Sequence, residues 1–155
     1  MQQVLNLLEQ LNISCNFVEH EAVYTCEQAE FVKNLINGQG CKNLFLRNNK
    51  KQFFLYVLPD DKRANLKELG KQLNIGHLSF GSEQALWDIL KLKAGSVSPF
   101  GIINDEENLV TLIIDSDLKD KVLLFHPNDN RATFSIEYMD LIKVIEYLKH
   151  KFVII

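Results

Sequence analysis

The sequence CKNLFLRNNKKQFFLYVLPDD, residues 41–61, contains two apolar runs joined by a polar tetrapeptide. The runs cover residues 41–47 and 52–58, and the turn-forming sequence Asn48-Asn-Lys-Lys51 lies between them. Strand-forming residues on both sides of a polar turn are typical of a β-hairpin, and Pro59-Asp-Asp then ends the second run. We therefore predict a strand, a turn and a second strand in this part of the chain.

Helices and short strands are predicted on both sides of the hairpin. Apolar residues at helical spacing, with a capping box at Thr25-Cys-Glu-Gln28, predict five helices near residues 4–11, 25–35, 66–73, 82–90 and 141–148. After an extended segment at residues 16–20, further strands are predicted at residues 102–103, 109–114, 123–125 and 132–136. This irregular order predicts an α/β (α+β) fold with a mixed, partly barrel-like sheet surrounded by helices.

The composition is typical of one globular domain. The 155 residues are 46% hydrophobic and 24% charged, so a single domain over residues 1–155 is expected. A chain of this length can bury a core without disulfides or a structural metal. The formal charge of −3 and the pI near 5.8 exclude a broad basic face. DNA is therefore not an expected partner, and any contact with nucleic acid must be local.

The cellular compartment is predicted from segments that the sequence lacks. No apolar run is long enough to span a membrane, and the N-terminus resembles neither a signal peptide nor an Arg-rich transit peptide. We expect a cytoplasmic protein with no membrane partner. The three cysteines form no C-x-x-C pair and the four histidines are widely spaced, so no disulfide, metal or cofactor is expected.

The sequence lacks the common catalytic motifs, such as G-x-S-x-G, a phosphate-binding loop or H-E-x-x-H. Lys42 is the first feature that carries chemistry, because it opens a strand that is otherwise largely apolar. Alternation places its side chain on one face with Leu44 and Leu46, while Asn43 takes the other face. A lysine at a strand end that extends into water is the ordinary alternative.

The loop Gly95-Ser-Val-Ser-Pro99, extended by Phe100 and Gly101, is the second feature. Glycine permits close approach of the backbone and proline stiffens the chain, so these amides could contact a ligand oxygen. A plain connection between a helix and a strand explains the same residues.

His126 is the third feature. It follows the apolar sequence Leu123-Leu124-Phe125 and begins the turn HPNDN at residues 126–130. An imidazole at the end of a strand can orient a substrate or a water molecule in a cleft. Turn formers follow it directly, so a simple turn histidine is the alternative.

Four segments in this order resemble one known family: GCKNLFLR at 40–47, LSFGSE at 78–83, GSVSPFGIIND at 95–105 and FHPNDN at 125–130. The chain resembles the YbaK-like editing domains, in particular the free-standing Ala-tRNA(Pro) deacylases related to the editing insertion of bacterial prolyl-tRNA synthetases. The resemblance implies that fold, an aminoacylated tRNA(Pro) acceptor end as substrate, and prolyl-tRNA synthetase as a possible partner. It extends over nearly the whole chain.

The resemblance also implies a role for each candidate residue. Lys42 matches the family's essential lysine, expected near the terminal adenosine and its phosphate. The backbone of the loop is expected to hold the aminoacyl ester and the terminal ribose, and His126 to border the amino-acid pocket. Secondary candidates for substrate binding are Asn43, Phe100 and Gly101, together with His77, which stands where relatives often carry an arginine. The loop residues concerned are Gly95, Ser96, Val97, Ser98 and Pro99.

An aminoacyl ester is already reactive, so a positioned water and a stabilised oxyanion suffice for its hydrolysis. In this family the ribose hydroxyl is thought to help activate the water. A pocket that fits a methyl group can exclude a proline ring by overlap, whereas attraction alone discriminates by only about 1–3 kcal/mol. The alternatives are a Cys-tRNA(Pro) or broader small-residue deacylase, and a non-catalytic module that binds an RNA 3′ end or a synthetase.

Overall fold

The structure is a computed structural model that describes residues 1–23 and 26–155, without the side chains of residues 26–29. Its α-helices are α1 (Gln2–Gln10), α2 (Cys26–Lys33), α3 (Leu66–Gln72), α4 (Glu83–Leu90) and α5 (Tyr138–Tyr147). Its strands are β1 (Phe17–Glu19), β2 (Gln39–Arg47), β3 (Phe53–Pro59), β4 (Ser79–Phe80), β5 (Val110–Ile114), β6 (Val122–Phe125), β7 (Ala132–Glu137) and β8 (Phe152–Ile154). The capping box predicted at residues 25–28 lies outside the described residues.

The strands form one mixed sheet in the order β1-β7-β6-β2-β3-β5-β8, with β4 paired to β2 beside this path. Strand β2 joins the two halves, since Gln39 and Gly40 pair in parallel with β6 while residues 41–47 pair antiparallel with β3. The predicted hairpin and the predicted mixed α/β fold are both confirmed. Asn48 fixes the hairpin turn, because its side-chain oxygen accepts hydrogen bonds from the backbone N–H groups of Lys50 and Gln52.

The two faces of β2 bury their side chains in different apolar clusters. Leu46 packs with Phe54 and Leu58 in the smaller cluster, which α3 covers, while Phe45 belongs to the larger cluster that fills the molecule. Consecutive side chains of a strand point to opposite faces, so this division confirms the alternation predicted for residues 41–46.

The strand predicted at residues 102–103 is wrong. Residues Pro99–Asn104 form a 3₁₀ helix instead, and the hydroxyl of Ser98 caps it by accepting a hydrogen bond from the N–H of Phe100. Pro99 favours the first turn because its fixed φ suits a helix and its missing N–H would have no partner there. An apolar pair as short as Ile102-Ile103 carries no period that distinguishes a strand from a helix. The short strands β4 and β8 were not predicted.

Three aromatic rings position the segments that matter for function. Phe100 contacts Phe125 and Phe134 edge-on, with ring centroids 5.9 and 5.1 Å apart. This packing brings the loop that precedes Phe100 beside the turn that follows Phe125. No helix of the described residues is long and apolar enough to cross a membrane.

Candidate functional site

A small cleft lies between α2 and the sheet, with a volume of about 100 Å³. Apolar walls come from Val23 and Val32 on one side and from Leu124 and Phe125 on the other. Its polar lining consists of Lys33, Asn43, Asp60, His126 and Thr133. A concave site with apolar walls and a few convergent polar groups is the usual form of a small-molecule site.

Asn43 has a side-chain oxygen that is buried at this cleft. Its Oδ1 finds no hydrogen-bond donor among the residues that the structure describes. Leaving a buried acceptor unpaired costs about 1–3 kcal/mol, so folded proteins rarely do so without a function. Asn43 thus contributes an unpaired buried acceptor to the lining of the cleft.

His126 presents a neutral imidazole to the same cleft. Burial lowers its pKa, and the nearby His20 lowers it further, against the opposite effect of the hydrogen bond to the Ala132 carbonyl. Nδ1 donates that bond over 2.8 Å. In the neutral ring Nε2 is then an acceptor.

A second histidine supports this wall of the cleft. The His20 ring centroid lies 6.2 Å from that of His126. Nδ1 of His20 donates to the Glu21 carbonyl over 2.7 Å, and Nε2 is hydrogen-bonded to the hydroxyl of Thr133 over 2.8 Å. Both ring nitrogens of His20 are thus engaged.

The 95–99 loop lies beside the His126 turn. Gly95 has a φ of +90°, a conformation in which a Cβ is strained. Ser98 is fully buried and its hydroxyl caps the 3₁₀ helix, so its oxygen is already engaged. Asn128 donates from Nδ2 to the Phe100 carbonyl over 3.3 Å and so ties the helix to residues 126–130.

Other residues of the loop and of its extension contact neighbouring parts of the fold. Val97 packs against the main apolar cluster, and the N–H of Ser96 donates to the Lys93 carbonyl over 3.0 Å. A Cβ at Gly101 would lie only 2.6 Å from Leu92 Cδ1, so close packing requires glycine there. The N–H of Ser96 is therefore engaged and Pro99 has none, so Gly95, Val97 and Ser98 carry the backbone N–H groups that the loop can offer a ligand.

The side chains of two candidate residues, Lys42 and His77, lie away from the cleft. Lys42 pairs with Leu58 and lies on the opposite face of β2 from Asn43, so its side chain does not line the cleft. His77 is exposed just before β4, which pairs with the far end of β2 at Leu46 and Arg47. Of the predicted site residues, Asn43 and His126 line the cleft, and the 95–99 loop lies beside the His126 turn without lining the cleft.

Four polar residues at or beside the cleft were not predicted from the sequence, namely His20, Lys33, Asp60 and Thr133. His20 and Thr133 meet only because β1 pairs with β7, more than 100 residues along the chain. No local motif could have indicated this contact.

The described residues offer little for thiol or metal chemistry. Burial raises the pKa of the Cys41 thiol far above its ordinary value, so Cys41 stays protonated and unreactive. Among the described side chains, those of residues 1–23 and 30–155, no three from His, Cys, Asp or Glu are grouped to hold a metal ion.

The sequence profile of the family named "Aminoacyl-tRNA editing domain" matches residues 20–144, a span that contains the cleft and the loop. The chain belongs to the aminoacyl-tRNA editing domain family. This membership confirms the resemblance drawn from the four sequence segments.

Named relatives of this editing domain cover nearly the whole chain. It is 40% identical over 147 residues to the prolyl-tRNA editing protein ProX of Acetoanaerobium sticklandii, covering 94% of this chain and 90% of that protein. It is 31% identical to the prolyl-tRNA synthetase associated domain-containing protein 1 of Danio rerio, covering 99% and 85%. It is 28% identical over 102 residues to the multifunctional Ser/Thr-tRNA deacylase ProXp-y of Escherichia coli K12, covering 64% and 61%.

Solved structures share the fold of this editing domain. The crystal structure of a proposed trans-editing enzyme for prolyl tRNA synthetase superposes with a TM-score of 0.72 at 17% identity, covering 98% of this chain and 93% of that one. The protein APE2540 superposes with a TM-score of 0.75 at 13% identity, covering 97% and 96%. At these identities the likeness extends to the fold alone.

Proposed function

We propose that this editing domain acts in trans to hydrolyse alanine from mischarged tRNA(Pro). The observation that supports this proposal is the small cleft, in which Asn43 Oδ1 has no partner among the described residues and His126 is neutral. The names of ProX and of the prolyl-tRNA synthetase associated proteins support tRNA(Pro) as the tRNA.

The volume of the cleft favours a small side chain. An apolar cavity of about 150 Å³ accepts a benzene ring. This cleft, at about 100 Å³, is smaller, which supports admission of the methyl group of alanine and exclusion of the larger ring of proline. Steric exclusion of this kind discriminates more strongly than the attraction of one or two methylene groups.

The residues around the cleft supply positioning rather than a nucleophile. Asn43 Oδ1 accepts a hydrogen bond from the α-ammonium of the substrate, and Nε2 of neutral His126 accepts one from a water molecule. Backbone N–H groups of the 95–99 loop stabilise the developing oxyanion. The water oxygen bonds to the carbonyl carbon, the bond to the ribose oxygen breaks, and the proton released by water goes to that oxygen.

Lys42 lies outside the cleft. A phosphate of the terminal nucleotide would also lie outside it when the aminoacyl group occupies the cleft. In this proposal its ammonium pairs with that phosphate, while the aminoacyl group enters from the other face of β2. A cytoplasmic location and prolyl-tRNA synthetase as a partner remain predictions.

Release of labelled amino acid from tRNA(Pro) tests the proposal. We expect rapid loss of alanine and slow loss of proline at equal enzyme concentration. Equal rates on both would contradict size exclusion, and preference for cysteinyl or seryl esters would indicate a broader deacylase. Inactivity on all four esters, with retained binding of tRNA, would indicate a non-catalytic module.

A further inference from the structure

One wall of the cleft is held by an ion pair between α2 and the end of β3. Lys33, the last residue of α2, lies 2.8 Å from Asp60 (Nζ to Oδ2) and 3.3 Å from Glu30 on its own helix. Asp60 directly follows β3, so the first contact crosses from the helix to the sheet. Both Lys33 and Asp60 line the cleft.

The surroundings of Asp60 fix the position of its carboxylate. The N–H of Asp60 donates to the Gly40 carbonyl over 3.0 Å, and Gln39 Nε2 donates to Asp60 Oδ1 over 3.4 Å. A Cβ at Gly40 would overlap Asp60 Oδ2 and lie 3.1 Å from Lys33 Cε. The ion pair therefore packs directly on the backbone of β2, and only glycine leaves room for it there.

The apolar attachment of this helix end is small. Val32 and Ile36 pack on Leu124 in a minor cluster, whereas Phe31 and Leu35 are exposed. The hydrogen bond to Asp60 raises the pKa of Lys33, so the lysine is charged at neutral pH. The Lys33–Asp60 ion pair, here called the tether, thus acts beside Val32, whose side chain also borders the cleft.

We propose that the Lys33–Asp60 pair fixes the distance between α2 and β2 and thereby sets the largest side chain that the cleft admits. This inference rests on the proposed function. Lys33 is then a positioning residue that determines specificity, and loosening the pair widens the cleft. Lys33→Met and Asp60→Asn should each raise the rate on proline esters relative to the rate on alanine esters.

The expected effect is modest because the pair is partly exposed. Exposed ion pairs contribute up to about 1 kcal/mol, which converts to a loss of discrimination between alanine and proline of up to about fivefold. Because the two residues act through one contact, the double variant should lose no more discrimination than either single variant. Lys33→Arg, which keeps the charge, should restore most of it.

Glu30→Gln is the matched control. It removes the same charge as Asp60→Asn and the other partner of Lys33, but it leaves the contact with β2 in place. We expect discrimination of the wild-type level in this variant. A loss as large as that of Asp60→Asn would indicate a general effect of charge and would overturn the proposal.

Hydrogen exchange provides a readout that does not depend on activity. The amides of Asn34 and Leu35, which bond to the carbonyls of Phe31 and Val32, should exchange about two- to fivefold faster in Lys33→Met and Asp60→Asn. Unchanged exchange would overturn the tether even if the enzyme is active. If the wild-type protein hydrolyses no ester, the proposed function fails, while faster exchange still supports the tether.

Discussion

Lys42 and Asn43 are consecutive residues of β2 whose side chains lie on opposite faces of the sheet. We expect Lys42→Ala to remove most deacylation without unfolding the protein, because a half-buried lysine contributes little stability but supplies a charge to the terminal nucleotide. Circular dichroism and single-turnover rates measure the two effects. Normal turnover in a folded variant would show that Lys42 merely extends into solvent.

Asn43→Ala is the comparison for Lys42→Ala. Its Oδ1 has no partner among the described residues, so its removal should leave stability unchanged or slightly higher while it lowers the rate. A clear loss of stability would instead indicate that Asn43 is structural.

Gly95 provides a second residue-scale prediction. Gly95→Ala should reduce deacylation more than Ser96→Ala, because its φ of +90° resists a Cβ and the loop acts through its amides. Loss of one oxyanion donor typically costs about 100- to 1,000-fold in rate, which single-turnover kinetics detect.

The effect of Ser98→Ala on the rate must be compared with its effect on stability. Its hydroxyl caps the 3₁₀ helix, so Ser98→Ala should cost about 1 kcal/mol in unfolding free energy. If Ser96→Ala or Ser98→Ala, while folded, reduces the rate as much as Gly95→Ala, a hydroxyl takes part and the backbone mechanism is wrong.

His126 should make stability depend on pH. Its pKa in the folded protein is lowered, mainly by burial, below the ordinary value near 6.5. The unfolded chain therefore binds the proton first as pH falls, so stability is lost below about pH 6.5 and is retained above it. The urea midpoint of the wild type should fall more steeply between about pH 7 and pH 5.5 than that of His126→Gln. Parallel curves would contradict this assignment.

At the scale of elements, a buried pair of side chains joins the end of the 3₁₀ helix Pro99–Asn104 to the segment just before β8. His150 Nε2 donates to Asp105 Oδ2 over 2.8 Å, and their side chains are only 3% and 1% exposed. Asp105 also accepts hydrogen bonds from the N–H groups of Leu109 and Val110. Burial has the largest single effect and opposes the charge of Asp105, but these three partners together lower its pKa, with His150 contributing most.

We expect Asp105→Ala to destabilise the protein by about 3–5 kcal/mol, because it leaves His150 buried without its partner. With an m-value near 2 kcal/mol/M, the urea midpoint should fall by roughly 2 M. Asp105→Asn, which keeps one acceptor oxygen, should lose less. A midpoint within the error of the wild type would show that the pair contributes nothing.

The elements that the sequence predicts correctly are those with local signals. The β2–β3 hairpin has alternating apolar residues and a polar turn, and α4 begins at the capping residue Ser82. Strands β4 and β8 contain two and three residues, and their hydrogen bonds go to β2 and β5 far along the chain. Such short strands exist only because the rest of the sheet supplies their partners.

At the scale of the molecule, the candidate site combines segments that are distant in sequence. The three ring contacts of Phe100, Phe125 and Phe134 place the 95–99 loop beside His126, and β2 supplies Asn43 from the other side. The individual motifs indicate the loop and the histidine. Their proximity, and the contributions of Lys33 and His20, follow from tertiary packing that no single motif contains.

The net charge of −3 leads to a prediction about the whole molecule and its substrate. Each phosphate contact on a single strand adds about −0.7 to the slope of log affinity against log salt concentration. The lysines around the site and loop are few, namely Lys42, Lys91 and Lys93, with Lys33 already paired to Asp60. With two or three contacts, the slope of log kcat/KM should lie at about −1.4 to −2.1, measured under subsaturating conditions. Lys42→Ala should reduce this slope by about 0.7, whereas the remote Lys71→Ala should not change it. A slope steeper than about −4 would require a broad basic surface and would contradict recognition through the acceptor end alone.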